Sequence, residues 1–456
     1  MVSTLQRCLA IASAHSFINC AHGALRQTKT QVSPLSLYPP TDTPSCPTDP
    51  IYHGSNPALN DLIQNRKEWY NEVFRPLLEL GTFESNDLYV SLPSGNNNFI
   101  YWEQVGGVMG VDTPVMEMSA WTTNKANEIV ALEGSYTADT YTWDLIHPDK
   151  RDFSVVEEVI QLKGDYVVFM CGWFSHYQHI LIDYLGYLAY IGKTFPPTTK
   201  ILVPESKDMS VLFSVVDGIE PELAQRLQVI ECAGSRSCFN QRFEIIEGSL
   251  SVFTPKSSTR HLDLYEMVRS WIWNSPSLRS AVSQDSTPTV VYYKRCKGAG
   301  ASRTINKRYM DEQQEDDIIH TIEHALKRYD RPEKLVIFDG SQSFQEQAQM
   351  FMTATTVIGP HGGGLANILL MKPTRNCQDR PRVLEFVTSS ATPLIQAGAL
   401  IASFYTLYST CPWLELHELL FTSQSNSDTT YIDMKAFRDA IKTLFGGKSS
   451  FTEEKF

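Results

Sequence analysis

The sequence predicts an α/β protein built from two Rossmann-like domains that face a central cleft. From Asp165 onwards, short apolar runs alternate with helix-length segments, which is typical of a parallel sheet covered by helices. A segment rich in Ser and Pro at residues 274–288 interrupts this alternation, and a second series begins directly after it. Hydrophobic residues make up 42% and charged residues 20% of the chain, a composition typical of globular proteins.

The first series contains three apolar runs of strand length and one apolar segment of helix length. We predict strands at residues 165–171, 200–204 and 226–232, and a helix at residues 176–192.

The second series is longer and more regular. Ile318, Ile322 and Leu326 share one face at helical spacing, which predicts a helix over residues 312–328. Further helices are predicted at residues 344–354 and 364–371, and strands at residues 288–295, 334–340, 355–359 and 382–387.

The chain before Asp165 has a different character. Arg7 and the apolar residues 8–21 outline a secretory signal or a retained signal-anchor, with an amphipathic helix or a disordered leader as the alternative. Residues 31–57 are rich in Pro, Ser and Thr and have no period, which indicates a flexible stem. We therefore expect a signal segment at residues 1–24, a stem at 25–57, and domains at 58–280 and 285–456.

Charge excludes one class of partner. The chain has 39 Lys and Arg against 51 Asp and Glu, a formal net charge of −12. Nucleic-acid binding needs a broad basic face, so we do not expect it here. An anionic ligand must instead be held locally, by a few basic residues and backbone amides.

The nine cysteines contain no C-x-x-C pair, so the sequence gives no support for a zinc ribbon. Cys232 and Cys238 are spaced to close a small loop in an oxidising compartment, and buried free thiols account for the cysteines equally well.

Residues 358–367 (IGPHGGGLAN) combine a strand end, three glycines after His361 and a helix start. Glycines let backbone N–H groups approach a ligand, and a helix N-terminus favours an anion, so this segment predicts a phosphate cradle. A tight turn with a packing histidine is the alternative. The segment matches neither G-x-G-x-x-G nor a P-loop, and no G-x-S-x-G nucleophile accompanies it, which excludes the lipase interpretation.

His176, His179 and Asp183 fall on one face of the predicted helix at residues 176–192. Three roles fit this spacing. The residues can ligate zinc or iron, they can act as an acid–base pair in which Asp183 orients His179, or they can be hydrogen-bonded parts of a buried helix.

Basic residues follow the first strand of the second series, where ligands bind at the carboxyl edge of a parallel sheet. They are Lys294, Arg295, Lys297, Arg303, Lys307 and Arg308. Arginine forks suit phosphate oxygens, and a solvated surface run is the alternative. Glu385, near the end of the last predicted strand, is placed either to accept hydrogen bonds from a ribose or to form a salt bridge.

Several of these segments together resemble glycosyltransferase family 61. Residues 341–373 and RVLEF (382–386) are similar to the family's His-Gly-Ala/Gly-Gly-Leu-x-Asn segment and its following strand with Glu. VVYYKR with SRTINK (302–307) is similar to its strand, basic loop and Arg-x-x-Asn. HYQHILIDYLG resembles its His-x-x-x-Asp segment, with His179 and Asp183 as the matching pair.

The resemblance implies a GT-B fold and an inverting transfer of a sugar from a nucleotide diphosphate donor, UDP-linked in our expectation, to a glycan or protein hydroxyl. It implies that residues 58–280 form the acceptor-side domain and that residues 285–456 form the domain that binds the nucleotide sugar. It also implies that His179 and Asp183 are the catalytic residues. It also implies a secretory-pathway location (Golgi or endoplasmic reticulum lumen, or secretion), with membrane association only through an N-terminal anchor and with a divalent metal optional. The donor-binding residues would be Arg295, Arg303, His361, Gly362, Gly363, Gly364, Asn367 and Glu385.

Two departures bear on these expectations. Residues 374–381 form a longer loop than is usual in the family, and His176 is an extra histidine outside the matching pair. Two other functions stay open: a non-catalytic protein that binds a nucleotide sugar or glycan, and a metal-dependent hydrolase that uses His176, His179 and Asp183.

Overall fold

The computed structural model describes residues 51–53, 89–93, 99–105, 116–123, 129–131, 136–139, 142–144, 158–169, 177–204, 209–230, 241–253, 262–282, 287–295, 309–372, 374, 377–388, 414–421 and 429–446. The expected signal segment and the part of the stem before Ile51 lie outside these ranges.

The described strands, in chain order, are β1 Ile51–His53, β2 Tyr89–Pro93, β3 Phe99–Val105, β4 Met116–Thr123, β5 Ile129–Ala131, β6 Tyr136–Asp139, β7 Thr142–Asp144, β8 Glu158–Lys163, β9 Tyr166–Phe169, β10 Lys200–Pro204, β11 Leu227–Ile230, β12 Gln241–Glu247, β13 Ser249–Phe253, β14 Thr289–Tyr293, β15 Tyr309–Met310, β16 Lys334–Phe338, β17 Ala354–Pro360, β18 Arg382–Thr388, β19 Glu415–Phe421 and β20 Thr429–Thr430.

Helix α1 covers residues 177–194 in three consecutive pieces: Tyr177–His179, a π-helical turn at Ile180–Tyr184, and Leu185–Thr194. The other described α-helices are α2 Ser210–Ile219, α3 Pro221–Ala224, α4 Leu262–Asn274, α5 Pro276–Ala281, α6 Glu312–Arg328, α7 Phe344–Met352 and α8 Met434–Phe445. Two 3₁₀-helices lie at Gly363–Leu370 and Cys377–Asp379.

Two largely parallel sheets confirm the predicted α/β fold with two Rossmann-like halves. The first sheet has the order β11-β10-β9-β13-β2, in which only the β13–β2 pair is antiparallel. The second sheet has the order β1-β19-β18-β17-β14-β16, and all its pairs are parallel. The strands predicted in the two series lie in these two sheets.

A third sheet, built mainly from the chain before Asp165, was not predicted as a unit. Seven strands pair in the order β7-β6-β4-β3-β12-β8, with β5 beside β4, and all pairs except β12–β8 are antiparallel.

The local sequence determines the ends of several helices. Helix α6 begins where the Asp311 side chain accepts a hydrogen bond from the Gln314 amide, and its bounds are those predicted. Helix α7 begins with a capping box formed by Ser343 and Glu346. It ends at Met352, two residues earlier than predicted.

One hydrophobic cluster joins the two parallel sheets. It contains Val167 of the first sheet, Leu185 of α1, Val291 of the second sheet and Leu369 of the 3₁₀-helix. A second cluster fills the space between the second sheet and the pair α6 and α8. The two halves therefore share a core, and the expected cleft does not separate them along their whole length.

Two expectations about the organisation of the chain need correction. Ile51–His53, expected in the flexible stem, forms an edge strand that pairs with β19, since its apolar and aromatic residues suit a sheet. The helix expected at residues 364–371 is a 3₁₀-helix at Gly363–Leu370. The predicted boundary at residues 274–288 contains helix α5, which Ser275 caps.

Within the described ranges, no helix combines the length and the apolar character needed to span a bilayer.

Candidate functional site

The glycine turn, which we define as residues 361–364, follows β17 at the carboxyl edge of the second sheet. The His361 amide donates to the Phe386 carbonyl at 3.1 Å, which ties the turn to β18. The Leu365 amide donates to the Gly362 carbonyl at 2.9 Å and starts the 3₁₀-helix. The sequence therefore predicted the position of this turn correctly, at the edge where parallel sheets bind ligands.

Close packing explains two of the three glycines. A Cβ atom at Gly364 would lie 2.6 Å from the Tyr293 ring and 2.9 Å from the Phe338 ring, and one at Gly362 would lie 2.8 Å from Arg295 Nη1. At Gly363 the nearest atom, Gln178 Cβ, would lie at an ordinary 3.5 Å. Of the three glycines, only Gly363 therefore lacks a packing requirement of this kind.

His361 and Glu385 form a pair at this edge. Nδ1 of His361 and Oε1 of Glu385 are within hydrogen-bond distance, and the strand register places Glu385 beside Gly359. The Glu385 residue is only 2% exposed, whereas 21% of the His361 side chain is exposed. Because the carboxylate is buried behind the ring and bonded to Nδ1, it fixes the orientation of the imidazole.

This pair changes the interpretation of Glu385. The structure gives Glu385 a side-chain partner, His361, and this pair is a salt bridge when the imidazole is protonated. Direct contact between Glu385 and a ribose stays a prediction.

Arg295 holds the glycine turn through a hydrogen bond to its backbone. Its Nη1 donates to the carbonyl oxygen of His361 at 2.9 Å. This contact orders the turn, and the expected phosphate contact of Arg295 stays a prediction. The neighbouring Lys294 pairs with the buried carboxylate of Glu315 at 3.1 Å, and burial raises the pKa of Glu315.

Helix α1 carries the predicted catalytic pair. The backbone of His179 ends the first α-helical piece, and that of Asp183 lies in the π-helical turn. Single π turns inside α-helices are frequent at functional sites. The side chains of both residues, and all of His176 and Arg303, lie outside what the structure describes, so their roles stay predictions.

The first turn of α1 packs directly against the glycine turn and the 3₁₀-helix. Gln178 faces Gly363, and the Tyr177 hydroxyl donates a hydrogen bond to Oδ1 of Asn367. The structure therefore brings the helix that carries His179 and Asp183 next to the turn that contains His361.

Sequence reasoning missed Tyr177, Tyr293 and Gln347 as parts of this site, because nothing in a single sequence tells which tyrosine or glutamine faces a distant turn.

Asn367 is fully buried, and its side-chain hydrogen bonds join it to other residues of the site. Its Nδ2 donates to Gln347 Oε1 at 3.0 Å and to the Gly364 carbonyl at 3.1 Å. Asn367 therefore braces the turn, and the donor contact that the resemblance assigned to it stays a prediction.

Among the described residues, no group of three or more His, Cys, Asp or Glu side chains is arranged to hold a metal ion. The side chains of the candidate metal ligands His176, His179 and Asp183 lie outside the described part of the chain, so their metal role stays a prediction.

Cys377 is disulfide-bonded, and its partner lies outside the described ranges. The loop formed by Cys232 and Cys238, which the sequence suggested, also lies outside them.

Comparison with known proteins finds a family model that is similar to a segment containing most of this site. Residues 177–377 match the family model described as Glycosyltransferase 61. No curated protein matches the chain.

Two solved structures align with the chain at low similarity. One is the iron-containing dodecameric glycosyltransferase TibC from enterotoxigenic E. coli H10407, with 11% identity and a TM-score of 0.25. The other is the heptosyltransferase TibC in complex with ADP-D-β-D-heptose, with 11% identity and a TM-score of 0.27. Each alignment covers 65% of this chain and 74% of the TibC chain.

Proposed function

We propose that this chain is a glycosyltransferase that moves a sugar, with inversion, from a UDP-linked donor to a glycan or protein hydroxyl. The match of residues 177–377 to the Glycosyltransferase 61 model supports the proposal. The observation that carries the proposal is the contact between two elements. The glycine turn with its His361–Glu385 pair lies directly against the first turn of the helix that holds His179 and Asp183.

The proposed donor site is the glycine turn at the carboxyl edge of the second sheet. Amides of Gly362, Gly363 and Gly364, with Arg303, hold the diphosphate, and the imidazole of His361 adds a cation that the Glu385 carboxylate stabilises. These groups stabilise the negative charge that develops on the leaving nucleoside diphosphate. Basic residues and backbone dipoles therefore serve where other transferases use a divalent metal, which stays optional here.

In the proposed reaction the acceptor hydroxyl oxygen attacks the anomeric carbon. The bond between that carbon and the diphosphate oxygen breaks, and its electron pair leaves with the nucleoside diphosphate. His179, oriented by Asp183, takes the proton of the hydroxyl. Attack from the side opposite the leaving group inverts the anomeric centre.

Calorimetry with UDP, ADP and GDP and their sugar conjugates tests the donor site. UDP and a UDP-sugar should bind, and His361→Ala and Arg303→Ala should each weaken the binding about tenfold or more. His324→Ala and Arg438→Ala are matched controls, because both side chains lie on exposed helix surfaces. Unchanged binding by both site variants would contradict the donor site.

A turnover assay separates the proposed enzyme from its rivals. His179→Ala should lower the turnover on the order of a hundredfold while the affinity for UDP stays nearly the same. Nucleotide binding without turnover for any acceptor would favour a non-catalytic binding protein. Near-stoichiometric zinc or iron in the purified protein would favour the hydrolase.

We also propose that the protein works in an oxidising compartment of the secretory pathway, the Golgi or the endoplasmic reticulum lumen, or is secreted. The disulfide at Cys377 supports this, since such bonds persist in oxidising compartments. The apolar residues 8–21 add a second argument from the sequence. Localisation of the tagged full-length chain tests the proposal.

A further inference from the structure

We infer that Tyr177 is a positioning residue, which holds the helix of the acid–base pair at a fixed distance from the donor turn. This inference rests on the proposed function. Tyr177 is the first residue of α1, two positions before His179, and its hydroxyl donates to Asn367 in the 3₁₀-helix. The hydrogen bond therefore joins the helix of the proposed base to the element that begins with Gly363.

The bond is the first of a continuous series. Asn367 donates to Gln347 Oε1 at 3.0 Å, and Gln347 Nε2 donates to the Gln342 carbonyl at 2.8 Å. Asn367 and Gln347 are both buried. The series runs from α1 across the 3₁₀-helix to the loop before α7, so it fixes three elements relative to one another.

Packing alone does not require this series. Leu365, Ile368 and Leu369 of the same 3₁₀-helix are buried in the shared hydrophobic cluster and already hold this helix in the core. A buried polar group is costly unless it is hydrogen-bonded, so a satisfied series of this kind favours one arrangement of the elements. Burial also raises the pKa of Tyr177, so the hydroxyl keeps its proton and remains a donor at neutral pH.

The position of α1 relative to the turn matters for the proposed chemistry. At Gly363 even an added Cβ would lie at an ordinary 3.5 Å from Gln178 Cβ, so packing at this contact alone does not fix the distance between α1 and the turn. The hydrogen bond of Tyr177 to Asn367 supplies that restraint. A misplacement of about 1 Å between reacting groups can lower a rate about a hundredfold.

The test compares Tyr177→Phe with Tyr187→Phe, which removes a hydroxyl from another buried tyrosine of α1. In Tyr177→Phe, kcat should fall about tenfold or more, while the Kd for UDP stays within about twofold. Amide hydrogen exchange of the first turn of α1 and of the 3₁₀-helix should become faster in Tyr177→Phe and stay unchanged in Tyr187→Phe.

A double-mutant cycle with Gln347→Met examines the rest of the series. The effects of Tyr177→Phe and Gln347→Met on kcat should be less than additive, because both variants loosen one connection. Wild-type kcat in Tyr177→Phe, even with a lower Tm, would overturn the inference and leave the proposed function intact. A wild-type protein without turnover would overturn the proposed function and this inference with it.

Discussion

At the scale of single residues, the glycine turn serves packing and ligand approach at different positions. Gly364 lies so close to the rings of Tyr293 and Phe338 that a side chain has no room, and Gly362 lies against the end of the Arg295 side chain. Gly363 has ordinary clearance and faces Gln178 of α1. Among these three glycines, Gly364 is therefore required for packing, and Gly363 is a candidate for ligand contact.

Alanine substitutions separate these two requirements. Gly364→Ala should lower the free energy of unfolding by about 1–3 kcal/mol, because its Cβ would overlap the Tyr293 ring 2.6 Å away. Gly363→Ala should change the free energy of unfolding by less than about 1 kcal/mol and weaken UDP binding. Urea unfolding and calorimetry measure the two effects. Equal losses of stability in the two variants would show that packing does not distinguish the positions.

Glu385 gives a second test at the residue scale. Glu385→Gln keeps the size of the side chain and removes the charge that stabilises a protonated His361. We expect kcat to fall about tenfold or more, since the leaving diphosphate then meets less positive charge. His361→Ala in the Glu385→Gln background should add little, and additive effects of the two variants would argue against a functional pair.

The same residues show which parts of the site could be predicted from the sequence. The turn, His361 and Glu385 were predicted to belong to one edge, because strand ends and glycines leave a local signal. A salt bridge of Glu385 was an open alternative without a named partner, since a single sequence does not show which polar group a buried carboxylate contacts. Tyr177 and Asn367 are 190 positions apart, and nothing local to either residue indicates their bond.

At the scale of elements, the regular helices were the most predictable. Helix α6 has an apolar face and an N-cap at Asp311, and both signals are local. The π-helical turn of α1 has no local signal of this kind, because i→i+4 and i→i+5 bonding suit the same apolar residues. Strand β1 was missed because three residues gain their stability from β19, far along the chain.

Strand β1 brings a histidine into a pH-sensitive environment. His53 stacks on the buried His417, with Nε2 of His53 2.9 Å from Nδ1 of His417. Burial, and then the charge of His417, lower the pKa of His53 from 6.5 to about 4, and Asp439 of α8 opposes the shift. Glu415 bonds to the far side of His417 at 2.7 Å, and that hydrogen bond lowers the pKa of Glu415.

Stability should therefore fall as the pH decreases from 6.5 towards 4. In this window the unfolded chain takes up a proton at His53, and the folded chain does not. Glu415 also contributes to stability, because its pKa is lower in the folded chain than in the unfolded chain. That contribution is lost only as the pH falls below the ordinary pKa of 4.5. The Tm of His53→Gln should depend less on pH between 6.5 and 4.5 than that of the wild type. The exposed His324→Gln is the control, and an unchanged pH dependence in His53→Gln would contradict the assignment.

At the scale of the whole molecule, the two parallel sheets are joined by one hydrophobic cluster. Its members come from both halves of the chain, and helices α2 and α7 meet where Phe344 fills the space beside Gly218. A ring carbon of Phe344 lies only 2.6 Å from where a Cβ of Gly218 would be. Interfaces of this density couple the stability of the parts they join, so the two halves should unfold together.

Phe344→Ala tests this coupling without depending on any ligand. The substitution leaves a cavity at the contact between the halves and should lower the free energy of unfolding by about 3–5 kcal/mol. If the halves form one cooperative unit, the slowest-exchanging amides of β9 and β10 should lose the same protection as those of β14 and β17. Ile337→Ala, at a partly exposed position on β16, should change protection much less in both sheets. Loss of protection confined to the second sheet would mean that the halves unfold separately, so that the distance between the donor turn and helix α1 is set by local contacts such as Tyr177–Asn367 and not by the shared core.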